Sequence, residues 1–372
     1  MMATNTRREF LADMGAGLAV AALGCAGLGK AGTETLNVNQ GSPLQEVLGD
    51  DRLRILESAA RAPSSHNSQP WLVRVRTPDD WTVEPDPARR LPAIDPTNRE
   101  QTLSLGTFVE YLVTAATALG FDARIQEASS PGALSVKLVR APTGPVGVEQ
   151  LARIARRRTL RKAFSDAPLP PEDLAALSGA IGPGARWIPR DAPEARWIEE
   201  AAANSFHQQT WRDPAQQELA HWIRFSDREI REKGDGLTAE AMELGWVQRF
   251  FMRNFMDAES VTGKTFRNGG VETTQAQATQ GAGWLVIGAR DDGAPSLLDA
   301  GRGFARMALL LQERRLAAHP MSQVLEEKPW RTEVGSKTGV SWPQFLLRIG
   351  RVDAYPDPVS PRRPAVAFTS VV

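Results

Sequence analysis

One cysteine and four histidines are the only thiol and imidazole side chains available as metal ligands in this 372-residue sequence. A lone Cys25 cannot close an intrachain disulfide or build a multi-thiolate zinc or iron–sulfur site. His66, His207, His221 and His319 are too scattered for a zinc motif of the H-E-x-x-H kind. An excess of one charge is missing as well, since 44 basic residues meet 44 acidic ones. That balance argues against nucleic acid or an anionic membrane as a general electrostatic partner and leaves only local basic clusters. What is present is an ordinary globular composition, 42% hydrophobic and 24% charged. The length suits two domains or one domain with a large insertion, and the core can be sizeable. With thiol and zinc-motif chemistry set aside, an organic cofactor is the natural carrier of any demanding reaction.

The first thirty residues resemble an export address. A short polar start and Arg7-Arg8 precede an apolar stretch from Met14 to Leu28, shorter than the about 20 residues that span a bilayer core. Thr6-Arg7-Arg8-Glu9-Phe10-Leu11 has the order of a twin-arginine (Tat) signal. The expectation is a signal peptide over 1–32, use of the Tat export machinery, and a periplasmic or cell-envelope location. Ala22-Leu23-Gly24-Cys25 resembles a lipoprotein processing box, although Ala22 stands where Leu is preferred. Plain cleavage near Gly24 is equally compatible. Either way, Cys25 belongs to the leader.

A polar linker, 33–47, leads to a first half expected over 48–145. The spacing predicts a helix at Leu53–Ala62, strands at 72–76 and 81–84, a long apolar helix at Leu103–Leu119, and strands at 122–126 and 134–139. A Pro/Gly-rich boundary follows at 141–145, and a second half is expected over 146–372. It carries a basic amphipathic helix from Val148 to Arg158, a helix opening near Pro171, a buried strand at Trp284–Ile287 and a helix from about Leu298 to Leu316. Leu298–Phe304 echoes Leu103–Phe108: each opens a long apolar helix with Gly followed shortly by Phe. Between these elements, about 186–279 reads as a Trp-rich helical insertion with a dense apolar patch at Phe250, Phe251, Met252, Phe255 and Met256, and its aromatics are expected mostly in the core.

Three stretches could carry chemistry. Ala62-Pro63-Ser64-Ser65-His66-Asn67-Ser68-Gln69-Pro70-Trp71 places hydroxyls, two amides and backbone N–H groups on one turn. Such a set can hydrogen-bond the edge of a heteroaromatic ring, and it can also be an ordinary turn. Arg156-Arg157-Arg158-Thr159-Leu160-Arg161-Lys162 offers forked donors that suit a phosphate, or a solvated helix face. Arg362-Arg363 between prolines at the C-terminal end could add a second phosphate arm, and a loose tail would read the same. Neither basic cluster is interleaved with aromatics, so nucleic acid is not indicated.

The 62–71 stretch resembles the A-P-S-x-x-N-x-Q-P-W signature of the flavin-dependent nitroreductase family. Arg157-Arg158-Thr159-Leu160-Arg161 is similar to that family's R-R-S-x-R phosphate motif, with Thr159 for Ser. Ordinary members are about half this length, carry the two motifs in the opposite order and share flavins across an intertwined dimer. The doubled chain resembles the fused, Acg-like branch. The resemblance implies an α+β, three-layer α/β/α sandwich fold made of two nitroreductase-type halves as an intramolecular pseudo-dimer, monomeric as a chain. It implies one FMN per chain, with a degenerate second position. Ser64, Ser65, Asn67 and Gln69 would meet the ring, while Arg157, Arg158, Thr159, Arg161 and Arg363 would hold the phosphate. Trp222 and Arg224 would lie beside the pyrimidine side. The implied activity is hydride transfer through flavin N5 to an electron-poor small-molecule acceptor such as a nitroaromatic or quinone, with NAD(P)H or another reductant. The alternative is an FMN-binding or storage protein with little turnover, and a third reading is a phosphate-binding module without flavin.

Overall fold

In this computed structural model the described residues are 41–129, 132–142, 147–162 and 164–372. The expected leader, Cys25 and most of the linker lie outside them. Helix α1 (Pro43–Ala59) begins ten residues before the apolar spacing suggests, because Ser42 caps it through Gln45 N and Pro43 fits its first turn. Gly49 at φ 70° bends it. The chain then forms β1 (Trp71–Thr77), β2 (Asp80–Pro85), α2 (Arg99–Ala118), β3 (Phe121–Glu127) and β4 (Leu134–Arg140). After α3 (Val148–Arg156), α4 (Pro171–Ile181) and β5 (Ala185–Pro189) come six helices: α5 (Pro193–Thr210), α6 (Asp213–Trp222), α7 (Asp227–Lys233), α8 (Trp246–Phe255), α9 (Ala258–Thr262) and α10 (Lys264–Ala278). The chain ends with β6 (Gly283–Gly288), α11 (Ala294–Leu310), β7 (Leu316–Pro320), α12 (Trp330–Thr338), β8 (Pro343–Arg351) and β9 (Thr369–Val371).

Two sheets result, ordered β3-β4-β2-β1-β9 and β5-β6-β8-β7. Leaving β9 aside, both follow one scheme: the first strand pairs with the second, the second with the fourth and the fourth with the third, always antiparallel. A long helix, α2 or α11, connects the second strand to the third in each. The C-terminal tail crosses to the first sheet, where β9 runs parallel to β1 with Val73 opposite Thr369 and Val75 opposite Val371.

Helices α2 and α11 meet at glycines. A Cβ on Gly106 would lie 2.3 Å from the Leu298 carbonyl oxygen, and one on Gly301 would lie 2.2 Å from that of Leu103. The contact is reciprocal, each glycine facing the carbonyl three residues before the other. The echo between Leu103–Phe108 and Leu298–Phe304 is therefore the seam along which the two backbones approach.

The three-layer arrangement holds for one sheet only. Leu285, Ile287, Leu347 and Ile349 pack against α4 and α11, while Trp284, Val286 and Leu346 on the opposite face pack against α5 and α12. The first sheet covers one face. Val73, Val75, Trp81 and Val83 point to α1 and α2, whereas Arg74, Arg76 and Lys137 on the other face are exposed. Its strands alternate accordingly, and β6 is buried throughout.

Three further expectations are corrected. Helix α11 ends at Leu310, and Leu316 opens β7, because apolar residues fill both the helix and the following buried strand. The helical insertion begins only after β5, which holds Trp187. Its aromatics are not mainly core. Trp246 is 75% exposed, Phe250 56% and Phe255 53%, since α8 inserts Met252 and leaves its other aromatic face outside.

Candidate anion and ring site

The 62–71 loop lies between α1 and β1, against the side of α2. Three of its non-glycine residues, His66, Asn67 and Gln69, have φ between 51° and 52°. Such left-handed backbone costs about 1 kcal/mol or more per residue, so surrounding contacts must hold it. They are supplied by two remote segments. Asn67 Nδ2 donates to Gly236 O at 3.0 Å and Pro361 O at 3.1 Å, and its Oδ1 accepts from Arg362 Nη1 at 2.6 Å. Gln69 Nε2 donates to Gly234 O at 2.8 Å, and its Oε1 accepts from the Arg363 backbone N–H at 2.9 Å. Ser64 Oγ accepts from Gln69 N at 3.0 Å, while Ser65 Oγ donates to Glu100 Oε2 at 3.1 Å. Both amides are thus occupied by protein partners, which makes Asn67 and Gln69 positioning residues for the loop.

The basic motif at 157–161 follows α3 and divides in two. Arg158 and Arg161 engage the insertion. Arg158 reaches Glu240 O at 3.3 Å and Asp357 O at 2.8 Å, and Arg161 Nη1 reaches Ala241 O at 2.6 Å. The Glu243 carboxylate accepts the backbone N–H groups of Arg161 and Lys162, each at 2.9 Å. Arg157 makes no hydrogen bond to the insertion among the described residues. It is 8% exposed, its Nη1 donates to Thr159 Oγ1 at 3.2 Å, and its Nε, like that of Arg158, is buried with no hydrogen-bond partner among the described residues.

Of the C-terminal pair, the structure assigns the open cation to Arg362. Arg363 is held by Gln69 O at 2.9 Å and Ala367 O at 2.7 Å, with Asp86 at 3.7 Å. It ties β9 and the tail to the loop. Arg362 has a buried, unpartnered Nε, and burial first, then Arg157 and Arg61, pull its pKa down to about 9. Neither Arg157 nor Arg362 forms an ion pair among the described residues.

Trp222 and Arg224 lie one layer behind the loop. Trp222 packs with Leu91, Ile94 and Ala215, and Arg224 pairs with Asp235 at 2.6 Å. Asp235 also takes Arg89 at 2.7 Å, and Arg89 donates to Ser68 O at 2.8 Å. These residues brace the 234–236 turn that anchors Asn67 and Gln69. The Arg224 guanidinium is thus committed to Asp235.

Sequence reasoning missed several neighbours of the site. His66 is pushed down to about 4, first by burial and then by Arg161, and its Nδ1 has no partner among the described residues. Arg348, on β8, is fully buried over the Phe164 ring at 4.1 Å, with Nε and Nη1 unpartnered. His319 lies against it at 3.3 Å and is held neutral by burial and by Arg161 and Arg348. Tyr111, on α2, is buried with an unpartnered hydroxyl. A surplus of buried donors with few acceptors is the electrostatic signature of an anion seat. It fits the phosphate of a flavin mononucleotide.

The equivalent place along α11 is built differently. Counting from the reciprocal glycines, Tyr111 and Thr107 on α2 correspond to Arg306 and Arg302 on α11. Both arginines hold Glu110, at 3.1 Å and 2.8 Å, and Arg306 Nε donates to Ala180 O at 2.8 Å. A cleft of about 170 Å³ remains beside Arg302, lined also by Glu127, Pro295, Leu298 and Asp299.

Comparison with known proteins gives a match to the nitroreductase family over residues 154–351, just over half of the chain. The chain is 28% identical over 329 residues to Rv3131 of Mycobacterium tuberculosis, which bears the name of an NAD(P)H nitroreductase. The match covers 83% of this chain and 88% of that protein. It is 25% identical over 316 residues to PigM of a Serratia species, also named an NAD(P)H nitroreductase, covering 79% and 86%.

Proposed function

The chain belongs to the nitroreductase family, and from that premise we propose that it is an exported FMN-dependent oxidoreductase reducing an electron-poor small molecule. The observation that carries this reading is the pair of buried Nε–H donors on Arg157 and Arg362 that have no partner among the described residues, Arg362 being bound to the 62–71 loop through Asn67. Arg157, Thr159 and Arg362 hold the phosphate. Asn67 and Gln69, with Ser64 and Ser65, fix the loop that meets the ring, and Arg363 and Arg224 fix the segments behind it. When bound, FMN supplies hydride at N5 to an acceptor such as a nitroaromatic or quinone, after reduction by NAD(P)H or another donor. His66, kept neutral by burial and Arg161, adds no further positive charge at neutral pH.

We read the chain as two fused family units acting as a monomeric pseudo-dimer with one flavin. The common strand scheme and the reciprocal glycine seam support this reading. The Glu110–Arg302–Arg306 ion pairs support a single flavin, because they fill the counterpart position. Export by the Tat route, with a leader over 1–32 and placement in the periplasm or cell envelope, rests on the Arg7-Arg8 motif. Retention of an Arg7→Lys, Arg8→Lys protein in the cytoplasm tests it, and normal export would end that part of the proposal.

A second reading, FMN storage with little turnover, is favoured by one feature. The insertion lies on the basic motif through Glu240, Ala241 and Glu243. Purified protein should be yellow, and Arg157→Ala with Arg362→Ala should lose the flavin. Unchanged flavin content in that double variant would refute the assignment. Anaerobic NADPH or NADH then separates the two readings: bleaching within seconds marks an oxidoreductase, and a flavin that stays oxidised marks storage.

A further inference from the structure

Tyr111 presents a problem that its own core does not solve. Its ring packs in the cluster that also contains Phe108, Leu112 and Ala115, fully buried, where phenylalanine would fill nearly the same space. Its hydroxyl is shut off from solvent and has no hydrogen-bond partner among the described residues. A buried hydroxyl without a partner is destabilising, so it requires an explanation. The charges of Arg157 and Arg362 are near enough to act on it, as is the Tyr355 hydroxyl. Tyr355 is already engaged, donating to Arg158 O at 2.7 Å.

The surrounding backbone ties these groups together. Helix α2 packs along α3, whose Leu151 and Ile154 share its core, and α3 ends one residue before Arg157. Arg362 Nη2 donates to Arg61 O at 3.2 Å, and the Arg61 side chain reaches toward Ala155 O at 3.5 Å. Arg61, Arg157 and Arg362 therefore converge from α1, α3 and the tail on one side of α2. Burial raises the Tyr111 hydroxyl to about 12 against the lowering pull of the Arg157 and Arg362 charges, so it keeps its proton. A protonated hydroxyl and two guanidinium Nε–H groups are all donors. The ligand that satisfies them together is compact, acceptor-only and doubly charged.

We propose that Tyr111 is a phosphate-monoester ligand, its Oη donating to a phosphate oxygen in a seat completed by Arg157, Arg362 and Arg61. Neither the N-x-Q-P-W loop nor the basic motif contains this residue. The identity of the ligand as FMN rests on the function proposed above, whereas the anion seat does not.

The test compares FMN with riboflavin, which has the same ring and no phosphate. Tyr111→Phe should weaken FMN binding ten- to a hundred-fold, the range for a charge-assisted hydrogen bond, and leave riboflavin affinity unchanged. It should also leave the melting point of the flavin-free protein equal or higher, since a buried unpartnered hydroxyl is removed. Equal effects on both flavins, or no effect on either, would overturn the role of Tyr111. If the wild-type protein binds neither flavin, inorganic phosphate becomes the probe. A melting-point rise with phosphate in wild type but not in Tyr111→Phe would keep the seat while ending the flavin reading. No such rise in wild type would overturn the seat as well.

Discussion

Replacing Gly106 by alanine tests the seam on which both sheets depend. The new Cβ would stand 2.3 Å from the Leu298 carbonyl oxygen and 3.1 Å from the Gly301 Cα. A carbon needs roughly 3.3 Å or more from such an oxygen, so α2 and α11 must separate by about 1 Å. Both obstructing atoms are backbone, and neither can rotate away. Overpacking of this kind costs about 1–3 kcal/mol and sometimes more, against a gain of about 1 kcal/mol from alanine's better helix propensity. The net expectation is a loss of about 1 kcal/mol, read as a lower urea midpoint and a melting point lower by a few degrees. Gly301→Ala should behave alike, because its Cβ would meet the Leu103 carbonyl oxygen at 2.2 Å. Once one alanine has pushed the helices apart, the second adds less, so the double variant should lose about 1 kcal/mol less than the sum of the singles. A stabilised Gly106→Ala protein, or strict additivity of the pair, would refute the close and reciprocal approach.

Asn67→Ala removes three hydrogen bonds, one of them from a guanidinium, and should cost about 3 kcal/mol in urea unfolding. A change under about 0.5 kcal/mol would show that the loop holds its left-handed turn without the amide. Folding holds His66 down to about 4, mainly by burial. Its stabilising contribution is therefore present above the ordinary imidazole pKa and lost as pH falls from about 6.5 toward 4, by up to about 3 kcal/mol. His319 is shifted the same way, so His66→Asn should flatten only part of that acid slope, and an unchanged slope would count against the His66 contribution. Glu326 runs in the opposite sense. Burial, then Glu100, raise it to about 8, so its contribution is present at low pH and lost as pH rises through 8. Glu326→Gln should raise the melting point at pH 9 and change little at pH 4, and equal effects at both would argue against a buried, protonated carboxyl.

Local patterns were legible where the physics is local. Alternation at 72–76 and 134–139 reads as half-buried strands, and the structure places β1 (Trp71–Thr77) and β4 (Leu134–Arg140) there with one face in solvent. The 103–119 helix needed only its apolar period and Gly120 to be read correctly. Leu298–Leu316 was harder, because a helix buried on most sides and a strand buried on both faces are equally apolar. Ser42 extended α1 by a cap that hydrophobic spacing does not register.

The site divides along the same line. The sequence by itself determined the two chemical inventories: amides and hydroxyls at 64–69 and arginines at 157–161. It also determined the glycines that let α2 and α11 touch. Only the tertiary structure decided which of those groups are free. Glu243, Gly236 and the tail reach the motifs from distant parts of the chain and occupy Arg161, Asn67 and Gln69. The same folding leaves the Nε–H groups of Arg157 and Arg362 and the Tyr111 hydroxyl buried with no partner among the described residues. Hydrogen-bond satisfaction depends on which segments fold against one another, and no spacing within a motif can specify that.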